Sequence, residues 1–364
     1  MARRPRSASQ FLLCYNYSVS AQLPIRVRFP PSPTGFLHIG NVRTFVFNWL
    51  FAKQQGGQVV LRIEDTDLER SKKEFENNIL EGLKWLGLTH DEFYRQSERR
   101  PIHQKYLTQL LDTGKAYLDE GAVKLKVDTA KKLVFDDVIR GTIEFDVKHE
   151  KDFVIARNLE SPLYHFAVVV DDYEMRISHI IRGEDHIANT AKHILLQEAL
   201  GFTRPIYAHL PLILGADKTK LSKRHGAVAL EEYKTQGFLP DAMFSYLAIL
   251  GFTAPQEVMS REELIKAFDL ARVHKSGAVF DIKKLEWVNG EYVKKMSNDE
   301  LRMMIGEKYE KILPMVRERM KKKSDLDEFD FFFEAPAEEF LASVGDSDLR
   351  LNQGRNQPTP HREA

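Results

Sequence analysis

RFPPSPTGFLHIGNVRT, residues 28–44, is the stretch whose reading sets the fold. The β-run 25–29 stops at a loop of Pro30, Pro31, Pro33, Thr34 and Gly35. A helical apolar pattern follows, VRTFVFNWLFAK at 42–53, and ends at Gly56-Gly57. A strand that passes through a Pro/Gly loop into a helix N-terminus aims backbone N–H groups at whatever sits in front of it, and an anion such as phosphate suits that place. His38 and Gly40 stand at the turn. Glycine lets a nucleotide approach the backbone closely, and an imidazole can donate to a phosphate or offset developing charge. A tight turn with His38 packed into the loop is the other reading. The spacing is neither a P-loop nor GxGxxG.

Outward from this stretch, QVVLRIE at 58–64 reads as a buried strand, 71–86 as a helix and 98–112 as another. Strands alternating with helices predict an α/β fold, a parallel sheet covered on its faces. Residues 115–160 change character: AVKLKV, KLVFDD, TIEFDV and DFVIAR are short β-pieces between polar turns, which reads as an inserted module. FAVVVDD at 166–172 and MRISHIIRGED at 175–185 are expected to return as core strands. A helix is expected over 188–200, closed by Gly201, then a strand-like run HLPLIL at 209–214. From 227 onward the pattern is helical: 239–250 up to Gly251, a capping box of Ser260 and Glu263, then 281–289, 297–308 and 309–322.

Composition narrows the class. With 364 residues, 43% hydrophobic and 29% charged, the chain suits a globular protein of two or three domains. Its 53 basic and 53 acidic residues cancel, so any nucleic-acid contact needs a local basic face. No apolar run reaches the 18 residues a spanning helix requires. Cys14 stands alone, which rules out an intrachain disulfide and a cysteine-based zinc site. Residues 1–24, with Arg3, Arg4 and Arg6 and no acid, read as a disordered extension or a targeting segment.

Three further clusters follow apolar strands or glycines. LRIEDTDLERS at 61–71 places Glu64 at a strand end, where α/β sheets bind ligands and a carboxylate can take a substrate ammonium. Asp65 and Asp67 there read better as structural. Arg182, followed by Gly183-Glu184-Asp185-His186, offers a fork that matches a carboxylate; a surface Arg–Glu network is the alternative. Lys218, Lys220, Lys223 and Arg224 sit in a glycine-bounded loop that would attract a triphosphate or a nucleic-acid backbone, or simply be solvated.

Taken together, PPSPTGFLHIG, RIEDTD, VVVDD, IRGEDH, LPLILG and KLSKR at 220–224 resemble, in order and separation, glutamyl-tRNA synthetase of the bacterial type. The resemblance spans about residues 25–335. It implies a Rossmann-like class I synthetase catalytic domain, with halves at 25–114 and 161–226 flanking a β-rich acceptor-binding insertion at 115–160. A helical stem-contact region at 227–335 and a tail at 336–364 follow. It further implies a glutamate–tRNA ligase that forms glutamyl-adenylate from L-glutamate and ATP with Mg²⁺, and charges tRNA-Glu as a cytoplasmic monomer without zinc. By matching position, Arg28, Pro30, Ser32, Glu64, Tyr164, Val168 and Arg182 would hold glutamate, Pro30 through its backbone. His38, Gly40, Lys220, Lys223 and Arg224 would handle ATP, with His38 and Lys223 catalytic.

Two departures are expected to weaken tRNA charging. The insertion after Tyr117 is shorter than in bacterial relatives, and the sequence stops where those continue into a helical anticodon-binding domain. A truncated paralogue with another glutamyl acceptor is the nearest alternative, and a non-catalytic binding protein a more distant one. The intact His38 and KLSKR favour the ligase.

Overall fold

The computed structural model describes residues 24–333 apart from 68, 131, 150 and 227. The expected N-terminal extension, but for Pro24, and the tail at 336–364 lie outside the described residues. Strand β1 (Arg26–Phe29) pairs in parallel with β2 (Gln58–Ile63), and β2 with β3 (Glu92–Arg95). The crossover between β1 and β2 is α1 (Ile39–Gln54). That helix buries Ile39, Val42, Phe45, Val46, Phe47, Trp49, Leu50 and Ala52, because elements pack on it from several sides. Phe29 stacks on Phe45 at 4.5 Å, fixing helix to sheet. α2 (Lys73–Trp85) and α3 (Arg100–Asp112) follow the anticipated helices. The polar EFYR of β3 gave no strand signal in the sequence.

The insertion contributes β4 (Ala116–Asp119), β5 (Ala122–Leu125), the hairpin β6 (Lys132–Asp137) and β7 (Gly141–Asp146), and β8 (Phe153–Ala156). β4, β5 and β8 form a small antiparallel sheet. The hairpin instead joins the main sheet. Its β6 meets β10 (Ile206–Leu210), which runs parallel to β9 (His179–Gly183). On its other side β9 flanks β1: the Ser178 N–H donates to the Arg26 carbonyl at 3.0 Å, and the Arg26 N–H to Ser178 Oγ at 2.8 Å. The spatial order is therefore β3-β2-β1-β9-β10. The order reverses between β1 and β9, the kind of switch point where α/β sheets bind ligands beyond the carboxyl ends of their strands. Side chains of the insertion share one core with α4 (Tyr164–Glu174) and α5 (Ile187–Leu200): Leu133, Phe135 and Ile155 pack with Phe166, Val169 and Ile194.

One expectation fails. Residues 166–172 are not a strand; they form the middle of α4. An unbroken apolar run carries no period that separates a buried strand from a buried helix. Here packing against α3 and α5 outweighs the strand preference of three valines. The helical form has a consequence for the site, since it stacks Tyr164, Val168 and Asp172 at i, i+4 and i+8 on one face.

β11 (Ile213–Leu214) pairs with β12 (Ala278–Val279), tying the sheet to the helical region. That region holds α6 (Leu230–Thr235), α7 (Pro240–Ile249), α8 (Arg261–Ala267), α9 (Ile282–Lys295), α10 (Asn298–Ile305) and α11 (Leu313–Arg319). α8 begins at the expected capping box, with Ser260 Oγ accepting from the Glu263 N–H at 3.2 Å and Glu263 accepting from the Ser260 N–H at 2.7 Å. α9 runs six residues past the expected end. α10 stops early, at Gly306, whose φ of 84° breaks the helix.

Candidate active site

At the reversal point, β1, β2 and α4 bring five charged side chains together out of water. Arg62 is fully buried. It donates to Asp172 Oδ1 at 2.8 Å and to Glu64 Oε1 at 3.0 Å, and stands 4.0 Å from Asp171. Arg28, also buried, reaches Asp172 through Nε at 3.4 Å, and its Nη1 has no partner among the described residues. Asp171 is saturated from the other side by Gln96 (2.8 Å), Arg99 (2.6 Å) and His103 (2.9 Å); against burial, His103, Arg62 and Arg99 hold its pKa below the usual range. Burial raises the pKa of Glu64 and the two arginines oppose that rise. The Glu64 N–H donates to the Pro31 carbonyl at 2.9 Å, pinning the Pro/Gly loop to the end of β2.

Arg182, at the carboxyl end of β9, is the expected carboxylate fork, and it is buried rather than part of a surface network. Glu184 pairs with Arg140 instead, at 2.5 Å. Among the described residues, every hydrogen-bond acceptor of the Arg182 guanidinium is uncharged: His209 Nε2 at 3.2 Å from Nε, His193 Nδ1 at 3.2 Å from Nη1, and Thr190 Oγ1 at 2.7 Å from Nη2. Burial and the arginine itself drive the His193 pKa well below its ordinary value, and burial above all lowers that of His209. Each ring also faces an Arg182 N–H with a ring nitrogen, which can accept only from a neutral ring. The Tyr164 hydroxyl, pushed up to about 12 mainly by burial, feels the charges of Glu64, Arg182 and Arg28 together. Those four residues are thus coupled by charge. Val168 is buried one turn along α4 from Tyr164 and offers only hydrocarbon.

On the α1 side, His38 caps the helix: its Nδ1 accepts from the Gly40 N–H at 2.9 Å. Since Nδ1 accepts, a neutral ring carries its proton on Nε2; burial first and Lys220 second lower the pKa and favour that neutral form. A Cβ on Gly40 would stand 3.1 Å from His38 Nδ1, so the turn has little room for a side chain there. The lysine loop is fastened to this turn. His38 bridges Ala229, the Ile39 N–H donates to the Val228 carbonyl at 3.0 Å, and the Leu230 N–H donates to the Leu37 carbonyl at 2.9 Å. Lys220 pairs with Asp185, past the end of β9, at 2.9 Å. Arg224 donates to Thr219 at 2.6 Å, and Asp217 gathers Thr219 and His225. The Lys223 backbone lies in the single 3-10 turn Lys223–His225, and its side chain lies outside what the structure describes.

Charge links Tyr164 with Glu64, Arg182 and Arg28, Val168 lies one helical turn from Tyr164, and Lys220 acts on His38. Pro30 is partly buried in the loop and Ser32 is exposed; among the described residues no hydrogen bond joins the Ser32 side chain to the cluster. Asp65 and Asp67 are structural. The first accepts from the N–H and the hydroxyl of Ser97, at 2.8 and 2.7 Å, and the second from Arg70 at 2.7 Å. Sequence reasoning missed Asp172, Thr190, His193, His209 and Asp137. The double aspartate straight after VVV, and a histidine inside the apolar AHLPLIL, were the available signals. Among the described residues no three His, Cys, Asp or Glu side chains gather as a metal would need, and no helix is long and apolar enough to cross a membrane.

The family described as tRNA synthetases class I (E and Q), catalytic domain, matches residues 24–123 and 119–287, and the two segments meet inside the insertion. The chain is 47% identical over 318 residues to a glutamate–tRNA ligase of Aquifex aeolicus, covering 75% of this chain and 67% of that protein. It is 44% identical over 346 residues to glutamate–tRNA ligase 2 of Fervidobacterium nodosum, covering 84% and 74%. In three dimensions it resembles a crystal structure of a glutamate tRNA ligase from Elizabethkingia meningosepticum in complex with its amino acid, with TM-score 0.83 and 32% identity over 91% of this chain and 85% of that one.

Proposed function

Since the chain belongs to the class I tRNA synthetases of the glutamate and glutamine type, we propose that it activates L-glutamate with ATP and transfers the glutamyl group to the 3′ end of tRNA-Glu. One observation carries the choice of amino acid: among the described residues, the buried Arg182 is hydrogen-bonded to three neutral acceptors and to no carboxylate. A guanidinium kept charged without a counterion favours an anionic side chain over a carboxamide. Of its five N–H groups three are engaged, which leaves one on Nη1 and one on Nη2, the two-pronged set a carboxylate accepts. Glu64 and Tyr164 would receive the substrate ammonium, Arg28 through its free Nη1 would steady a carboxylate, and Val168, Ser32 and the Pro30 backbone would close the pocket.

The glutamate α-carboxylate would attack the α-phosphorus of ATP, giving the mixed anhydride and pyrophosphate. The ribose hydroxyl of tRNA would then take the acyl group and release AMP. His38, with its proton on Nε2, is suited to donate to a phosphate oxygen, and the N-terminus of α1 beside Gly40 supplies backbone N–H groups. Lys220, Lys223 and Arg224 would offset the charge leaving with pyrophosphate. Mg²⁺ would arrive on the ATP phosphates, which is how this ion usually enters nucleotide sites. The enzyme would work as a cytoplasmic monomer.

Arg182→Ala tests the reading. It should cost about 2–5 kcal/mol in kcat/KM for glutamate and leave the KM for ATP within about twofold, measured by pyrophosphate exchange in the presence of tRNA and by charging of total tRNA. An unchanged glutamate kcat/KM would sink the assignment.

A further inference from the structure

The Arg182 guanidinium needs its acceptors to stay acceptors, and the structure contains a device for that outside the pocket. His209 Nδ1 stands 2.6 Å from Asp137 Oδ2, both groups fully enclosed. The other oxygen of Asp137 accepts from the backbone N–H groups of Ile139 (2.9 Å), Arg140 (2.8 Å) and His209 (3.3 Å). With one carboxylate oxygen tied to three donors, the second is left for the ring and can only accept. The proton of the neutral imidazole therefore sits on Nδ1, and Nε2 presents a lone pair to Arg182 Nε at 3.2 Å, with the Thr190 hydroxyl 3.0 Å away. Thr190 in turn can donate to the His186 carbonyl at 3.2 Å while it accepts from Arg182 Nη2. On the third side, His193 offers Nδ1 to Arg182 and turns Nε2 to His165 Nδ1 at 3.1 Å.

We propose that Asp137, His209 and Thr190 are positioning residues for glutamate selection: Asp137, from the inserted hairpin, fixes the His209 tautomer so that Arg182 is oriented by neutral acceptors and keeps its full charge for the substrate carboxylate. This deepens the functional reading above and rests on it. The arrangement separates two jobs that one carboxylate would merge. An aspartate in direct contact would orient Arg182 and also neutralise it, and the pocket would lose its preference for an anion. Placing the imidazole between them keeps the orientation and moves the negative charge one ring away. The same hairpin extends the sheet through the Tyr207–Asp137 pairing, so the insertion reaches Arg182 by a hydrogen-bonded route.

Asp137→Asn gives a sharp test. The three backbone donors hold the amide oxygen where Oδ1 now sits, so the NH₂ faces His209 Nδ1 and drives the ring proton to Nε2. There it meets Arg182 Nε–H, donor against donor. An Asp→Asn change beside a histidine acts through the wrong tautomer in serine proteases as well. Calorimetric binding of L-glutamate, L-glutamine and ATP, with aminoacylation kinetics alongside, reads the outcome in the full chain. The expected result is a tenfold or greater loss of glutamate affinity, seen as KM more than kcat, with glutamine and ATP binding within about twofold and a reduced glutamate-over-glutamine preference. Thr190→Val removes the Nη2 acceptor in a similar volume and should move the same quantities the same way; it decides the matter if Asp137→Asn does not fold. Folded variants with unchanged glutamate affinity, or with glutamate and ATP binding lost in proportion, would overturn the positioning role. A wild-type chain that does not prefer glutamate to glutamine would instead overturn the functional reading on which it rests.

Discussion

Single residues decide this site by where their charges are left uncompensated. Arg62 and Asp172 form the inner pair, fully dehydrated and shared with Arg28 and Glu64. Removing one partner of such a pair strands the other in a medium that cannot hydrate it. Asp172→Ala should therefore destabilise the fold by about 3 kcal/mol or more, read as a lower urea midpoint; a loss below about 1 kcal/mol would show that Glu64 and Asp171 neutralise Arg62 without it. Glu64 and Arg182 were legible in the sequence because each is a charge placed directly after an apolar strand, a local pattern. Their partners were not. Arg62 meets Asp172 across 110 positions and His209 meets Asp137 across 72, and nothing in a linear string says that such residues touch.

At the scale of elements, what was legible was whatever is decided locally. The β1–loop–α1 unit, the Gly201 stop of α5 and the Ser260–Glu263 box all follow from residues within a few positions of one another. Ser260→Ala should cost about 1 kcal/mol, because the Glu263 N–H loses its cap at the start of a helix only seven residues long. An unchanged urea midpoint would mean that tertiary contacts alone hold α8. α4 escaped the sequence because its apolar run fits two periods, and only the surrounding helices choose between them. β3 escaped for the opposite reason: its EFYR lacks apolar residues in alternation, and it exists because β2 offers it a parallel edge.

Across the whole molecule, burial leaves several histidines reluctant to take a proton, His186 among them although Asp185 pulls the other way. His165, His179 and His186 are each lowered to about 4, with burial the leading cause. A depressed histidine pKa in the folded state means that the unfolded chain binds more protons between about pH 6.5 and 4. Stability should then fall as pH drops through that window and stop falling on this account below it. The buried Asp171, whose folded pKa is depressed, gives way only below the unfolded carboxylate range near 3.9. Urea midpoints at half-unit steps from pH 7.5 to 4.5 check this; a flat profile would contradict it.

The contact between β1 and β9 also sets a clock. Arg26 and Ser178 lie 152 positions apart. At roughly 5–20 residues per second of synthesis, on the order of 8–30 s pass between the emergence of one of these strands and the other. Once β2 has emerged, and until β9 does, the nascent chain carries β1 with one edge able to pair with β2 and the other bare, a template for any passing strand. Chaperone occupancy on ribosome-bound chains should consequently peak after α1 and β2 have emerged and fall once β9 has.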